Sequence, residues 1–114
     1  MTEPSRGEIW WVDLDPTRGH EQAGRRPGLV LSVDSFNKSP AGLVIIIPVT
    51  TKAKGISLHV AITPPEGGVK QLSYAKCEDM RSVSKQRLSA RLGKIKPQTL
   101  AAVELRITRL LGLP

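Results

Sequence analysis

Three short clusters of reactive side chains stand out in this sequence. The first is Gly19-His20-Glu21-Gln22-Ala23-Gly24-Arg25-Arg26-Pro27. The second is Thr50-Thr51-Lys52, with Lys54 beside it, and the third is Lys76-Cys77-Glu78-Asp79, just before Arg81. Arg26 precedes a proline, which steers it away from helix into extended backbone, so its guanidinium is delivered at a fixed point. Arginine, histidine, lysine, threonine and carboxylate, with no metal-ligand spacing among the histidines, suit one reaction on a polyanion. In RNA transesterification the substrate's own 2′-hydroxyl attacks the adjacent phosphate. The protein then withdraws a proton, protonates the leaving 5′-oxygen and neutralises charge on the phosphoryl oxygens. Arginine fits the last task, because its planar fork donates two parallel bonds to phosphate oxygens. A hydroxyl such as Thr50 can hold a phosphate oxygen in line. Histidine or a carboxylate can take the proton, which makes His20 and Glu78 candidates, with Asp79 an alternative to Glu78. Glu21, Gln22, Arg25, Thr51, Lys52, Lys54, Lys76 and Arg81 complete the set as substrate contacts. Glu21 and Gln22 also suit holding the loop through backbone amides. Lacking the 2′-hydroxyl, DNA would bind without being cut.

These clusters need a β-rich scaffold. Glu8–Leu14, Leu29–Val33, Leu43–Thr50, Leu58–Ile62 and Gln71–Cys77 read as strands from their β-branched and apolar content. Met80–Val83 reads as a further strand, and Lys85–Leu92 as a helical turn followed by one. Trp10 and Trp11 are neighbours, so a strand points them to opposite faces. Pro48 cannot donate to a ladder and belongs at an edge, a bulge or a strand end. Asn37–Gly42 and Pro64–Gly68 have turn chemistry. Pro97 suits the first position of a helix, whose apolar stripe is Leu100, Val103, Ile107, Leu110 and Leu111 and whose stop is Gly112. The expected class is a mainly β small barrel or half-barrel with a C-terminal α-helix, one domain over residues 1–114. If the second, third and fifth strands are neighbours, all three clusters can share one rim.

Composition narrows the partners. Seventeen Lys+Arg against ten Asp+Glu give a formal net charge of +7 over 114 residues, which favours nucleic acid or an acidic protein. The longest apolar run, Leu43–Ile47, is far short of the ~20 residues of a membrane span. With no signal-peptide pattern at the start, the expected location is the cytoplasm. Cys77 is the one cysteine, so neither an intrachain disulfide nor a cysteine zinc cage is expected. No phosphate-loop or dinucleotide fingerprint appears, and neither a metal nor a cofactor is expected. The aromatics are Trp10, Trp11, Phe36 and Tyr74, a poor supply for a general single-strand stacking surface.

Taken together, Arg6-Gly7-Glu8-Ile9-Trp10, Asp15-Pro16, Gly19–Gly24, Arg26-Pro27 and Pro48-Val49-Thr50-Thr51 resemble the MazF/PemK (Kid) toxins in order and spacing. Arg81-Ser82-Val83-Ser84, Arg87-Leu88, Leu92-Gly93-Lys94 and the closing helix extend the resemblance over nearly the whole chain. It implies an SH3-like barrel of the CcdB/Kid/MazF type and a homodimer. It also implies a sequence-specific, metal-independent endoribonuclease that cuts single-stranded RNA to a 2′,3′-cyclic phosphate and a 5′-hydroxyl. A cognate, MazE-like antitoxin with an acidic tail is the implied inhibitor. The family's catalytic arginine and threonine match Arg26 and Thr50. His20 matches the PemK/Kid branch, whose Arg-Cys-Asp run reads Lys76-Cys77-Glu78 here. The alternatives are a CcdB-like gyrase poison on the same barrel and an RNA-binding module without catalysis.

Overall fold

The computed structural model describes residues 3–14 and 24–114. Among them are β1 (Glu8–Asp13), β2 (Arg25–Val30), β3 (Leu43–Thr50), β4 (His59–Ile62), β5 (Ser73–Lys76), β6 (Arg81–Ser84) and β7 (Leu88–Lys94). A four-residue helix, α1 (Asp34–Asn37), precedes β3, and α2 (Pro97–Leu111) closes the chain. The strands pair antiparallel in the order β4-β5-β3-β2-β1-β7, with β6 also on β3.

β3 is the axis of this arrangement. One edge pairs with β2; the other pairs with β6 as far as Ile46↔Arg81, then with β5 from Val49↔Ala75. Ile47 and Pro48 fall in the gap between those two partners, and the β2 ladder also ends at Gly28↔Pro48. A residue with no N–H sits where the ladder changes hands, which satisfies the expectation for Pro48.

The sheet carries a core on each face. Ile9, Leu29, Ile47, Val49 and Ala75 pack with Val103 and Ile107 of α2 on one side. Trp10, Val12, Val30, Val44, Ile46, Val83 and Leu88 pack on the other. Successive residues of β3 therefore enter different cores, and a strand buried on both faces reads as one continuous apolar run. Each fully buried Ile or Leu contributes about 1.5–3 kcal/mol.

Two expectations need correction. β2 spans Arg25–Val30 rather than Leu29–Val33, because its ladder with β1 runs from Ile9↔Leu29 out to Asp13↔Arg25, through Pro27. Leu31–Val33 instead lead into α1, which lies just ahead of the expected turn. On α2, Val103 and Ile107 are buried, but Leu110 and Leu111 remain 44% and 52% exposed, so the core covers only the first part of the stripe. Gly112 ends the helix as expected, at φ 68° in the left-handed region.

Two polar networks pin the chain's start to the sheet. Asn37 is fully buried; its amide donates to the carbonyls of Pro4 (3.2 Å) and Ser32 (3.0 Å) and its side-chain oxygen accepts the Ser32 hydroxyl. Asn37→Ala strips those groups of their partner, and an unsatisfied buried polar group costs about 1–3 kcal/mol. The expected result is a lower urea midpoint with an unchanged slope.

Glu8, also buried, accepts the Ser5 amide at 2.7 Å, the Trp10 indole at 3.0 Å and Arg91 Nε at 2.6 Å. Burial pushes its carboxyl upward, but these donors outweigh burial and hold the pKa below the ordinary 4.5. Folding therefore favours the ionised form. That stability is present above 4.5 and is lost as the pH falls through the folded-state value. Glu8→Gln is expected to lower the thermal midpoint at neutral pH and to flatten its decline towards about pH 3.

Candidate active site

Arg26 and Thr50 reach one place because their strands share a register. Gly28 pairs with Pro48, and two residues further on Arg26 comes level with Thr50. There β2 and β3 are no longer laddered together, and a cavity of about 300 Å³ opens between their ends. Arg25, Arg26, Thr50, Thr51 and Lys52 line it, together with Trp11, Pro27, Val49 and Ser73. Among the described residues, three cations and no carboxylate face this space. The arrangement favours a phosphate and adds strength to every charge-assisted bond made there.

Local contacts orient the pieces. Arg25 lies across from Asp13, diagonal to Trp11, with its guanidinium carbon 4.9 Å from the Trp11 ring centroid. This cation–π contact holds the Arg25 charge beside the cavity. Thr50 Oγ1 accepts the Lys52 amide at 3.1 Å, which leaves the hydroxyl proton for donation to a ligand oxygen. Arg26 is exposed, as the fork of a phosphate-binding arginine needs to be.

The structure brings together the second cluster and the arginines of the first. His20, Glu21 and Gln22 lie outside the described residues. Strands β2, β3 and β5 are indeed neighbours, but the third cluster is not on the same rim. β5 runs antiparallel to β3, so the chain from Tyr74, opposite Thr50, to Arg81, opposite Ile46, leads away from the cavity. A 3₁₀ turn over Cys77–Asp79 makes this connection. Glu78 Oε2 accepts from His59 Nε2 at 2.8 Å, and Asp79 takes Arg81 at 3.0 Å and Lys76 at 3.8 Å. Glu78 feels a burial effect that raises its pKa, outweighed by His59, its backbone bond and Lys76, which hold it below the ordinary range. None of Lys76, Glu78 and Arg81 lines the cavity, and Lys54 stands exposed in the coil after β3. Cys77 is fully buried, and burial pushes its thiol up to about 11, so it is inert as a nucleophile at neutral pH.

Four wall residues, Trp11, Pro27, Val49 and Ser73, were not among the sequence-derived site residues, and two of them are instructive. Trp11 had a signal: adjacent tryptophans in a strand cannot both enter one core. Ser73, at the start of β5, had none, since only the β3–β5 pairing brings it near Thr50.

Residues 5–111 match the family described as PemK-like, MazF-like toxin of type II toxin–antitoxin system. The chain belongs to this family. Endoribonuclease toxin MazF of Escherichia coli (strain K12) is 33% identical over 110 residues, covering 96% of this chain and 95% of that protein. The crystal structure of MazF from Deinococcus radiodurans superposes with a TM-score of 0.87 at 33% identity, covering 99% of this chain and all (100%) of that one. MazF in a MazE–MazF structure from the same organism gives a TM-score of 0.80 at 28% identity, with both chains covered completely (100%). The MazF-like chain thus shares their fold, a β-rich barrel closed by a C-terminal helix, as its residue pattern implied. Among its described residues no helix is long and apolar enough to cross a membrane.

Proposed function

We propose that the Arg26–Thr50 cavity cleaves single-stranded messenger RNA by transesterification, without a metal. The observation that carries this is the convergence of Arg25, Arg26, Lys52 and the Thr50 hydroxyl on one cavity that no carboxylate lines among the described residues. Membership of a family whose relatives are named endoribonucleases supports it. The 2′-oxygen attacks phosphorus as its proton leaves, the P–O5′ bond breaks, and the departing oxygen takes up a proton. The products carry a 2′,3′-cyclic phosphate and a 5′-hydroxyl. Arg26 grips the non-bridging oxygens, Thr50 donates to one of them, and Arg25 and Lys52 neutralise flanking phosphates. Glu78 is occupied by His59 and stands off the cavity, so we assign proton transfer to His20. Glu21 and Gln22 position the loop, while Lys54, Lys76 and Arg81 steer the polyanion from outside the cavity.

The matching inhibitor is an acidic, MazE-like antitoxin segment that mimics RNA against the +7 chain. The working unit is a homodimer, acting in the cytoplasm where its substrate is. The deciding experiment incubates purified protein and single-stranded RNA with EDTA and maps the product ends. Cyclic phosphate and 5′-hydroxyl termini are expected. Products bearing a 5′-phosphate would overturn the mechanism, and intact RNA with salt-sensitive binding would leave only a binding module.

A further inference from the structure

A second cavity, of about 370 Å³, adjoins the cationic one and shares Trp11, Pro27, Thr51 and Ser73 with it. Its remaining walls differ in character. Val69 and Leu92 make them apolar, and Lys70 and Gln71 stand at the polar edge. Arg25 and Arg26 line the first cavity and not the second, whereas the Trp11 indole lines both. Trp11 is the one aromatic residue lining either space: Trp10 is buried in the opposite core, and neither Phe36 nor Tyr74 reaches them.

We infer that this second cavity holds the base of a nucleotide flanking the scissile phosphate, stacked on Trp11, with the Gln71 amide reading its edge. The inference rests on the ribonuclease function proposed above and adds specificity-determining residues to it. A phosphate belongs among Arg25, Arg26 and Lys52. A neutral, flat group belongs in the neighbouring space, which has apolar walls and, among the described residues, a single cation, Lys70. Its volume lies within the ~300–1,000 Å³ range of small-molecule sites. The Arg25 guanidinium beside the indole limits the ring's freedom, so the platform is in place before RNA arrives. Only an unpaired base can be turned into such a slot, which selects single strands. The Gln71 side chain both donates and accepts, so it can discriminate among base edges.

The test uses an RNA with one 2′-deoxy residue at the cleaved position, which binds without being cut. Companion oligonucleotides carry an abasic residue at each of the two flanking positions in turn. Base–aromatic stacking of ~1–3 kcal/mol predicts that Trp11→Leu weakens binding of the intact oligonucleotide about ten- to a hundredfold. One abasic substitution should cost the wild type the same factor and cost Trp11→Leu nothing more. With cleavable RNA, KM should rise far more than kcat falls. Trp11→Phe, which keeps a smaller ring, should lie between, and Gln71→Ala should flatten the base preference at that one position.

Losses that simply multiply when Trp11→Leu meets each abasic RNA would overturn the slot while leaving the phosphate chemistry intact. Weakened antitoxin binding with unchanged RNA binding would assign the cavity to the peptide instead. A wild type that cuts no RNA would remove the parent function and this inference together.

Discussion

Arg26→Ala should slow RNA cleavage by on the order of a hundredfold or more, the usual cost of removing one donor aimed at developing charge. The loss should appear in kcat as well as kcat/KM, since the fork bonds most strongly to the phosphorane-like oxygens. Stability should hardly change, because the Arg26 side chain is exposed at a strand end. Arg26→Lys separates charge from geometry. Lysine keeps the cation but loses the two-pronged bond, so it should restore substrate affinity better than rate. Single-turnover cleavage and thermal unfolding of both variants check this. Retained cutting by Arg26→Ala would remove the arginine from the chemistry.

The largest effect on stability should come from Gly68→Ala. Gly68 has φ +78°, and a Cβ there would lie 2.3 Å from the Leu92 carbonyl oxygen and 2.7 Å from its carbon. Those are backbone atoms of β7 and cannot swing aside. Left-handed backbone costs a side-chain-bearing residue roughly 1–2 kcal/mol, and overpacking adds about 1–3 kcal/mol. A total near 3 kcal/mol or more is a large part of the ~5–15 kcal/mol that holds a typical domain. Gly55→Ala is the control: its φ of +64° is similar, but nothing lies within 4 Å of the added carbon. Only the conformational cost should appear there. Equal urea midpoints for the two variants would show that the Gly68–Leu92 contact is not tight in solution.

Periodicity made β3 and α2 legible before any coordinates, because a continuous apolar run and a helical stripe each carry their own length. The order of the clusters along the chain also pointed to Arg26 and Thr50, which the Gly28↔Pro48 register sets level. The placement of Glu78 was not legible. Its distance from the cavity follows from the direction of β5 and from the bond to His59, and neither leaves a mark in local sequence. The same holds for the start of β2, where two arginines and a proline look like loop until β1 supplies a partner. Leu110 and Leu111 misled because a helical stripe reports the spacing of apolar residues and says nothing of how far the sheet beneath extends.

The double-sided burial of β3 also bears on how such a toxin can diversify. Over residues 44–47 successive side chains answer to one core or the other, which leaves no tolerant position there. Inherited variation that alters which RNA is cut is thus channelled into the connecting segments, 51–58 and 69–72 among them. The rigid strands can keep the phosphate grip constant across descendants while those segments rewrite the bases it meets.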